Sequence, residues 1–120
     1  MLRMLQMIKR KDYVESLRSE LKKIRKKLHD STRGDSISSI AENNRVSSLP
    51  KHYEGMEYVV REAVKNLEMG RAACEIEKAL LLNETRFNKI IQSNVVDKSD
   101  WKSYARGGLE GVLIVRALIT

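Results

Sequence analysis

The segment GRAACEIEKALLLNETRFNKIIQ, residues 70–92, decides which fold this sequence predicts. Apolar residues recur at helical spacing in its first half, at Ile76, Ala79 and Leu80. A second apolar stripe follows at Phe87, Ile90 and Ile91. Between the two stripes lies Asn83, whose side chain can accept a hydrogen bond from a free backbone N–H at the start of a helix. The segment therefore predicts two short amphipathic helices joined by a tight turn.

This pattern resembles the helix-turn-helix superfamily of DNA-binding domains, which is common in regulators, recombinases and phage proteins. The resemblance covers residues 70–92 of the 120-residue chain. The family pattern requires five apolar positions, and all five are apolar here: Ile76, Leu80, Leu82, Phe87 and Ile90. Glu77 stands where the family usually has a small residue, and Leu81 stands where it usually has glycine. An ordinary hairpin of two helices, buried in a helical domain, would use the same apolar spacing.

The resemblance also implies which side chains would contact DNA. The second helix would present seven residues to the major groove: Asn83, Glu84, Thr85, Arg86, Asn88, Lys89 and Gln92. Among these, the amides can make two hydrogen bonds to an adenine edge, and the basic side chains can reach guanine or a phosphate. Arg71 and Lys78, in the first helix, would hold the DNA backbone. Each of these residues would also suit a plain solvent-exposed surface.

The N-terminal residues 1–30 predict a basic helix, because they hold ten Lys or Arg against four acidic residues. Its apolar residues alternate in steps of three and four, as in a coiled coil: Val14, Leu17, Leu21, Ile24 and Leu28. We therefore expect a homodimer joined through residues 12–28, with packing of this helix on its own domain as the alternative. Four lysines would make accessory phosphate contacts or keep a dimer soluble: Lys22, Lys23, Lys26 and Lys27.

The remaining segments complete an all-α prediction. Residues 31–50 are rich in Ser and Asn and predict a linker, with room for a short helix near residues 37–42. Residues 52–69 predict a helix that ends at Gly70. Residues 112–119 are almost wholly apolar, and we favour a helix there over a strand that would form a short β wing. The predicted domain organisation is a basic helix, a linker, and a helical domain over residues 51–120 that contains the helix-turn-helix at 71–92.

Composition and motifs argue against several other classes of protein. One cysteine and two histidines provide no cluster with metal-ligand spacing, so we expect neither a metal nor another cofactor. No nucleophile motif surrounds a serine, and no pair of acids is placed for catalysis, so we do not expect an enzyme. No apolar run approaches the roughly 20 residues that cross a bilayer. We expect a soluble cytoplasmic protein that does not associate with membranes.

Two functions remain after these exclusions. The first is binding of double-stranded DNA, as a small dimeric transcriptional regulator or as the DNA-recognition protein of a phage or mobile element. The second is a helical interaction or assembly protein. It would bind a protein partner, for example the transcription machinery, through its coiled coil and its apolar C-terminus. A DNA complex should weaken steeply with added salt, whereas an apolar protein interface should hardly respond.

Overall fold

The described part of the computed structural model of this chain contains four α-helices. The structure describes the backbone of residues 2–33, 44–93 and 99–119, and the side chains of residues 12–31, 49–93 and 101–119. The helices are α1 (Leu2–Arg33), α2 (Asn44–Glu68), α3 (Ala73–Gln92) and α4 (Ser99–Ile119). Helices are the only regular structure in these described ranges, so the all-α prediction is confirmed.

The central pair of the bundle is α2 and α4, whose backbones approach closely because glycines face the contact. A Cβ atom at Gly55 of α2 would overlap the carbonyl oxygen of Tyr104, and one at Gly107 of α4 would overlap the carbonyl oxygen of His52. Only a residue without a side chain allows this approach. The three glycines of residues 106–111 thus lie inside a helix.

The outer helices cover this pair from different sides. Helix α1 packs mainly on α2, and α3 packs mainly on α4. Within the described ranges, α1 and α3 do not contact each other. Buried residues from all four helices form one core, whose largest fully buried side chains are Leu17, Ile24, Ile76, Val59, Val60, Val112 and Val115. The N-terminal helix therefore belongs to the same folded unit as residues 51–120, and is not a separate segment.

The apolar seam of α1 lies inside this core. Leu17, Leu21 and Ile24 are 0%, 6% and 2% exposed in the single chain. Side chains that are already covered by α2 cannot also form the centre of an interface with a second copy. The predicted homodimer through residues 12–28 is therefore wrong for this seam, and the alternative, packing on its own domain, is what the structure has.

The C-terminus of α2 follows the sequence prediction. Gly70 has a φ of 83°, a left-handed conformation that glycine adopts without strain. The N–H of Gly70 bonds to the carbonyl of Leu67, and the N–H of Arg71 bonds to that of Asn66. These two bonds define a Schellman motif, which satisfies carbonyls left free at the helix end.

The start of α2 lies earlier than predicted. The helix begins at Asn44 and includes Pro50, which the sequence placed at the end of a linker. Proline removes one intrahelical hydrogen bond but does not end this helix. Because α1 also continues to Arg33, both ends of the predicted linker 31–50 are helical. The short helix predicted near residues 37–42 lies outside the described residues.

The segment predicted to form two helices is the single helix α3. No turn interrupts it near Leu81, and Asn83 lies in its interior and not at an N-cap. The hydroxyl of Thr85 donates to the carbonyl of Leu81 over 3.0 Å, which is the i to i−4 contact of a continuous helix. Since a helix-turn-helix requires a break here, the predicted motif at 71–92 is wrong, and so is the hairpin alternative.

The physical reason is that the apolar stripe of α3 never changes phase. Its buried residues Ile76, Leu80 and Phe87 are separated by four and seven positions, so they share one side of an uninterrupted helix. No glycine or proline lies between residues 73 and 92. Leu82, one of the five apolar positions of the family pattern, is 68% exposed.

The C-terminal helix is also resolved in favour of the helical prediction. Residues 112–119 lie within α4, and Val112, Val115 and Ile119 are buried at helical spacing. The alternative of a strand and a β wing at these residues is therefore wrong. The apolar C-terminus, which was predicted as a surface for a partner, is largely used by the core.

Candidate nucleic-acid interface

A groove between α1 and α2 brings basic side chains of two helices together. Its volume is about 590 Å³, and its lining includes the apolar Leu21 and Val64 and the acidic Glu68. Five cationic side chains line it, three from α1 and two from α2: Arg18, Lys22, Arg25, Arg61 and Lys65. They recur every three or four residues on each helix, so each helix presents its cations on one side.

Two glutamates hold the arginines of this basic groove in place. Glu57 bridges the helices, because its carboxylate lies 3.3 Å from Arg25 and 3.4 Å from Arg61. Glu68 of α2 pairs with Arg18 of α1. Glu57 has only 14% of its side chain exposed, so its pairs are shielded from solvent more than an ordinary surface ion pair. The pairs of Arg18 with Glu68 and of Arg25 with Glu57 thus join α1 to α2 along the groove.

Unlike the arginines, the two lysines of the groove do not pair with a described glutamate. Lys22 and Lys65 are exposed, and neither has an acidic partner among the described residues. Their ammonium groups are therefore available to an anion from outside. The basic groove combines cations fixed by glutamates with cations that are not neutralised, which is the arrangement that attracts a polyanion.

The four lysines predicted as accessory phosphate contacts do not act as one group. Lys22 lines the basic groove, and Lys26 is exposed one turn further along α1. Lys23 pairs with Glu20 of its own helix at 3.6 Å. Lys27 lines a different cavity, where α1 meets α4. Only Lys22 of the four lies in the groove that the structure forms.

The residues predicted to read DNA bases are spread along and around α3. Asn83 and Glu84 are half-buried. The others are exposed, with Arg71 just before the helix and the rest within it: Lys78, Thr85, Arg86, Asn88, Lys89 and Gln92. They belong to one helix whose opposite side packs on α4, so they do not form the projecting recognition helix of the predicted motif. The structure also does not bring them together with the basic groove, since α1 and α3 share no contact in the described ranges.

Glu84, one of the residues predicted to contact DNA, makes a contact within the bundle. Its carboxylate accepts a hydrogen bond from Arg116 of α4 at 2.6 Å, and Glu77 accepts a second at 2.9 Å. The hydrogen bond to Glu84 raises the pKa of the Arg116 guanidinium, although partial burial acts in the opposite direction. These contacts join α3 to the C-terminal half of α4.

Arg61 and Lys65, the α2 side of the groove, were not among the predicted contacts. The sequence carries a partial signal for them, because basic residues four apart on a helix occupy one side. Residues 22 and 65 are far apart in sequence, however, and only the packing of α1 on α2 makes them neighbours. Nothing in the spacing of either helix shows that the two basic sides meet.

Comparison with known proteins gives no independent indication of function, since the sequence matches no protein-family model, no curated protein and no solved structure. The described residues contain no group of His, Cys, Asp and Glu that could hold a metal ion. Within the same residues, no helix has the length and apolar character needed to cross a membrane. The geometry of the chain itself therefore provides the basis for a functional proposal.

Proposed function

We propose that this protein binds double-stranded DNA through its phosphate backbone, with the basic groove between α1 and α2 as the main contact surface. The observation that supports the proposal is the convergence of five cationic side chains from two helices on one groove. Binding of Lys and Arg to phosphates releases condensed counterions, which is a major source of affinity for nucleic acid.

The two unpaired lysines are the side chains most suited to this contact. A phosphate at Lys22 or Lys65 would not have to displace an acidic partner that the structure describes. The arginines differ, because Glu57 and Glu68 already accept from them. We expect the arginines to shape the groove and the lysines to provide most of the salt-dependent attraction.

The continuous α3 favours contact with phosphates over reading of bases. Phosphate contacts hold a protein on DNA but carry no direct sequence information. We therefore propose binding with little sequence preference, in place of the operator recognition that a helix-turn-helix would provide. A role in transcription, or in a phage or mobile element, remains a prediction that depends on this binding.

The proposal is tested by fluorescence anisotropy with a labelled random duplex over a range of salt concentrations. Wild-type protein should bind at low salt, and log K should fall linearly with log salt. The double variant Lys22→Gln with Lys65→Gln should bind more weakly, and its slope should be smaller by about 2, since each lost phosphate contact removes roughly one unit.

The control matched to Lys22→Gln is Lys23→Gln, which removes one positive charge from the same helix at a residue paired with Glu20. It should leave the salt slope nearly unchanged. Absence of binding at low salt, by protein that circular dichroism shows to be folded, would overturn the DNA proposal. An equal loss in the control and the double variant would instead refute the assignment to the groove.

A second candidate function, binding of a protein partner, is favoured by the exposed leucines of α3. Leu81 and Leu82 are 49% and 68% exposed in the middle of a well-packed helix, and Leu113 of α4 is 65% exposed. Leu81 and Leu82 are adjacent in the chain, and adjacent exposed apolar side chains are a feature of interaction surfaces. An interface centred on these leucines would be insensitive to salt. The same titration therefore separates it from binding at the basic groove.

A further inference from the structure

A cavity lies where α1, α2 and α4 meet, and it shares no lining residue with the basic groove. Its volume is about 360 Å³, which is within the range of small-molecule sites. Lys27 of α1 lies on one side of it, and Ser103 and Arg106 of α4 lie on another. His52 of α2 and Glu110 of α4 complete its polar lining. Three helices thus contribute polar side chains to a single concave site.

The wall formed by α2 and α4 is held in a defined geometry. Gly107 lies directly against the backbone of His52, so the two helices cannot approach further or tilt here without steric overlap. The His52 Nε2 atom lies 2.7 Å from the Glu110 Oε2 atom, which is hydrogen-bond distance. The His52 ring also packs edge-on against Tyr53, with ring centroids 5.9 Å apart. A ligand would therefore meet a largely preformed surface.

The charges of the cavity favour an anion. Lys27 and Arg106 have no acidic partner among the described residues, and both are exposed. The one carboxylate in the lining, Glu110, is already engaged by His52. The two cations come from different helices, so an anion between them would be contacted from two directions. The Ser103 hydroxyl is available as a further hydrogen-bond donor.

The remaining lining is apolar. Leu49, Tyr53 and Met56 of α2 form this part of the cavity. A free inorganic anion would leave these side chains facing solvent. A ligand with an anionic group and a compact apolar or aromatic group would use both parts of the site.

We propose that this cavity binds a phosphate monoester, with the phosphate between Lys27 and Arg106 and the organic group against Tyr53 and Met56. Arginine and lysine are the residues that proteins use most for phosphate, and arginine can contact two of its oxygens at once. The monoester is either a free small molecule or the 5′-terminal phosphate of a nucleic-acid strand. Both have the same chemistry at the site, and this proposal does not depend on the basic groove.

The test uses phenyl phosphate, inorganic phosphate and phenol as probes in NMR titrations of the full chain. Phenyl phosphate should bind more tightly than inorganic phosphate, and phenol should not bind measurably. Arg106→Gln and Lys27→Gln should each lower the affinity for phenyl phosphate about tenfold, the effect expected for loss of one charge-assisted hydrogen bond. Both residues are exposed, so the variants should remain folded.

Two comparisons distinguish this site from the basic groove and identify the source of the phosphate. Lys22→Gln should leave phenyl phosphate binding unchanged. An oligonucleotide with a 5′-phosphate that binds more tightly than its 5′-hydroxyl form, and loses this advantage in Arg106→Gln, would identify a strand end as the ligand. Equal binding of the two oligonucleotides would identify a free small molecule. No binding of phenyl phosphate by folded wild type, or undiminished binding by both variants, would overturn the proposal.

Discussion

Gly107 occupies a position where one additional carbon atom would overlap the backbone of the neighbouring helix. Alanine normally stabilises a helix interior relative to glycine by about 0.5–1 kcal/mol. At Gly107 the steric conflict involves a carbonyl group and not a flexible side chain, so the helices must separate. We predict that Gly107→Ala lowers the free energy of unfolding by about 1–3 kcal/mol, the usual cost of overpacking. Urea denaturation measures this change.

The matched comparison is Gly111→Ala on the same helix. A Cβ atom there would lie 3.0 Å from the Cβ of Val59 and 3.1 Å from the carbonyl oxygen of Met56, so α2 would have to shift by only a few tenths of an ångström, against the direct overlap at Gly107. The gain in helix propensity should offset most of that strain, so Gly111→Ala should cost clearly less than Gly107→Ala. Equal stability of the two variants would show that α2 and α4 are not in backbone contact at residue 107.

The continuity of α3 determines whether Asn83→Ala raises or lowers the free energy of unfolding. In the interior of a helix, Asn is less favourable than Ala by roughly half a kcal/mol. As the N-cap of a second helix, Asn83 would instead contribute about 1 kcal/mol. We predict that Asn83→Ala slightly raises the free energy of unfolding in chemical denaturation, because α3 is continuous.

Asn88→Ala is the internal reference for this measurement. Asn88 lies in the interior of the helix in either arrangement and is exposed. Its substitution should therefore be slightly stabilising whichever arrangement holds. A marked loss of stability in Asn83→Ala alone would indicate a helix start at residue 83 and would restore the two-helix interpretation.

Individual elements differ in how far the sequence determines them. The Gly70 cap of α2 and the helical character of residues 112–119 were both predicted, since local spacing and glycine chemistry decide them. The segment around Leu81 was not, because two helices and one helix can carry the same apolar residues. One helix differs from two in the phase of the apolar stripe across Asn83 and in the exposure of Leu82. The exposure of Leu82 is set by how α3 packs on α4.

The molecule as a whole decides the role of the α1 seam. A repeat of three and four residues shows that one side of α1 is covered, but it does not say by what. The seam is covered by α2 of the same chain, so its residues should contribute to the stability of a single chain. We predict that Leu21→Ala lowers the free energy of unfolding by about 2–5 kcal/mol, the usual cost of truncating a buried leucine.

Protein concentration separates this result from a dimer seam. For a dimer held through α1, stability would rise with protein concentration, by mass action. For the seam described here, the midpoint of denaturation should be independent of concentration in both wild type and Leu21→Ala. Ser19→Ala, on the exposed side of the same helix, should have little effect. A midpoint that shifts with concentration would contradict the intramolecular seam.

The candidate sites are properties of this same packing. Lys22 and Lys27 belong to one basic run, yet the first faces the basic groove and the second the cavity beside α4. The run itself could be predicted to attract anions from its charge alone. Its division between two sites could not, because Arg61, Lys65 and Arg106 join it only after the bundle has formed.

The separation of the outer helices has a consequence for partial unfolding. Helix α1 packs mainly on α2, and α3 packs mainly on α4. In the described ranges, α1 and α3 do not contact each other. Either outer helix can therefore detach while the central pair stays closed, and loss of one does not require loss of the other. A ligand that contacts both α1 and α2 would oppose detachment of α1 only. It would not change the free energy of detaching α3, which carries the exposed leucines.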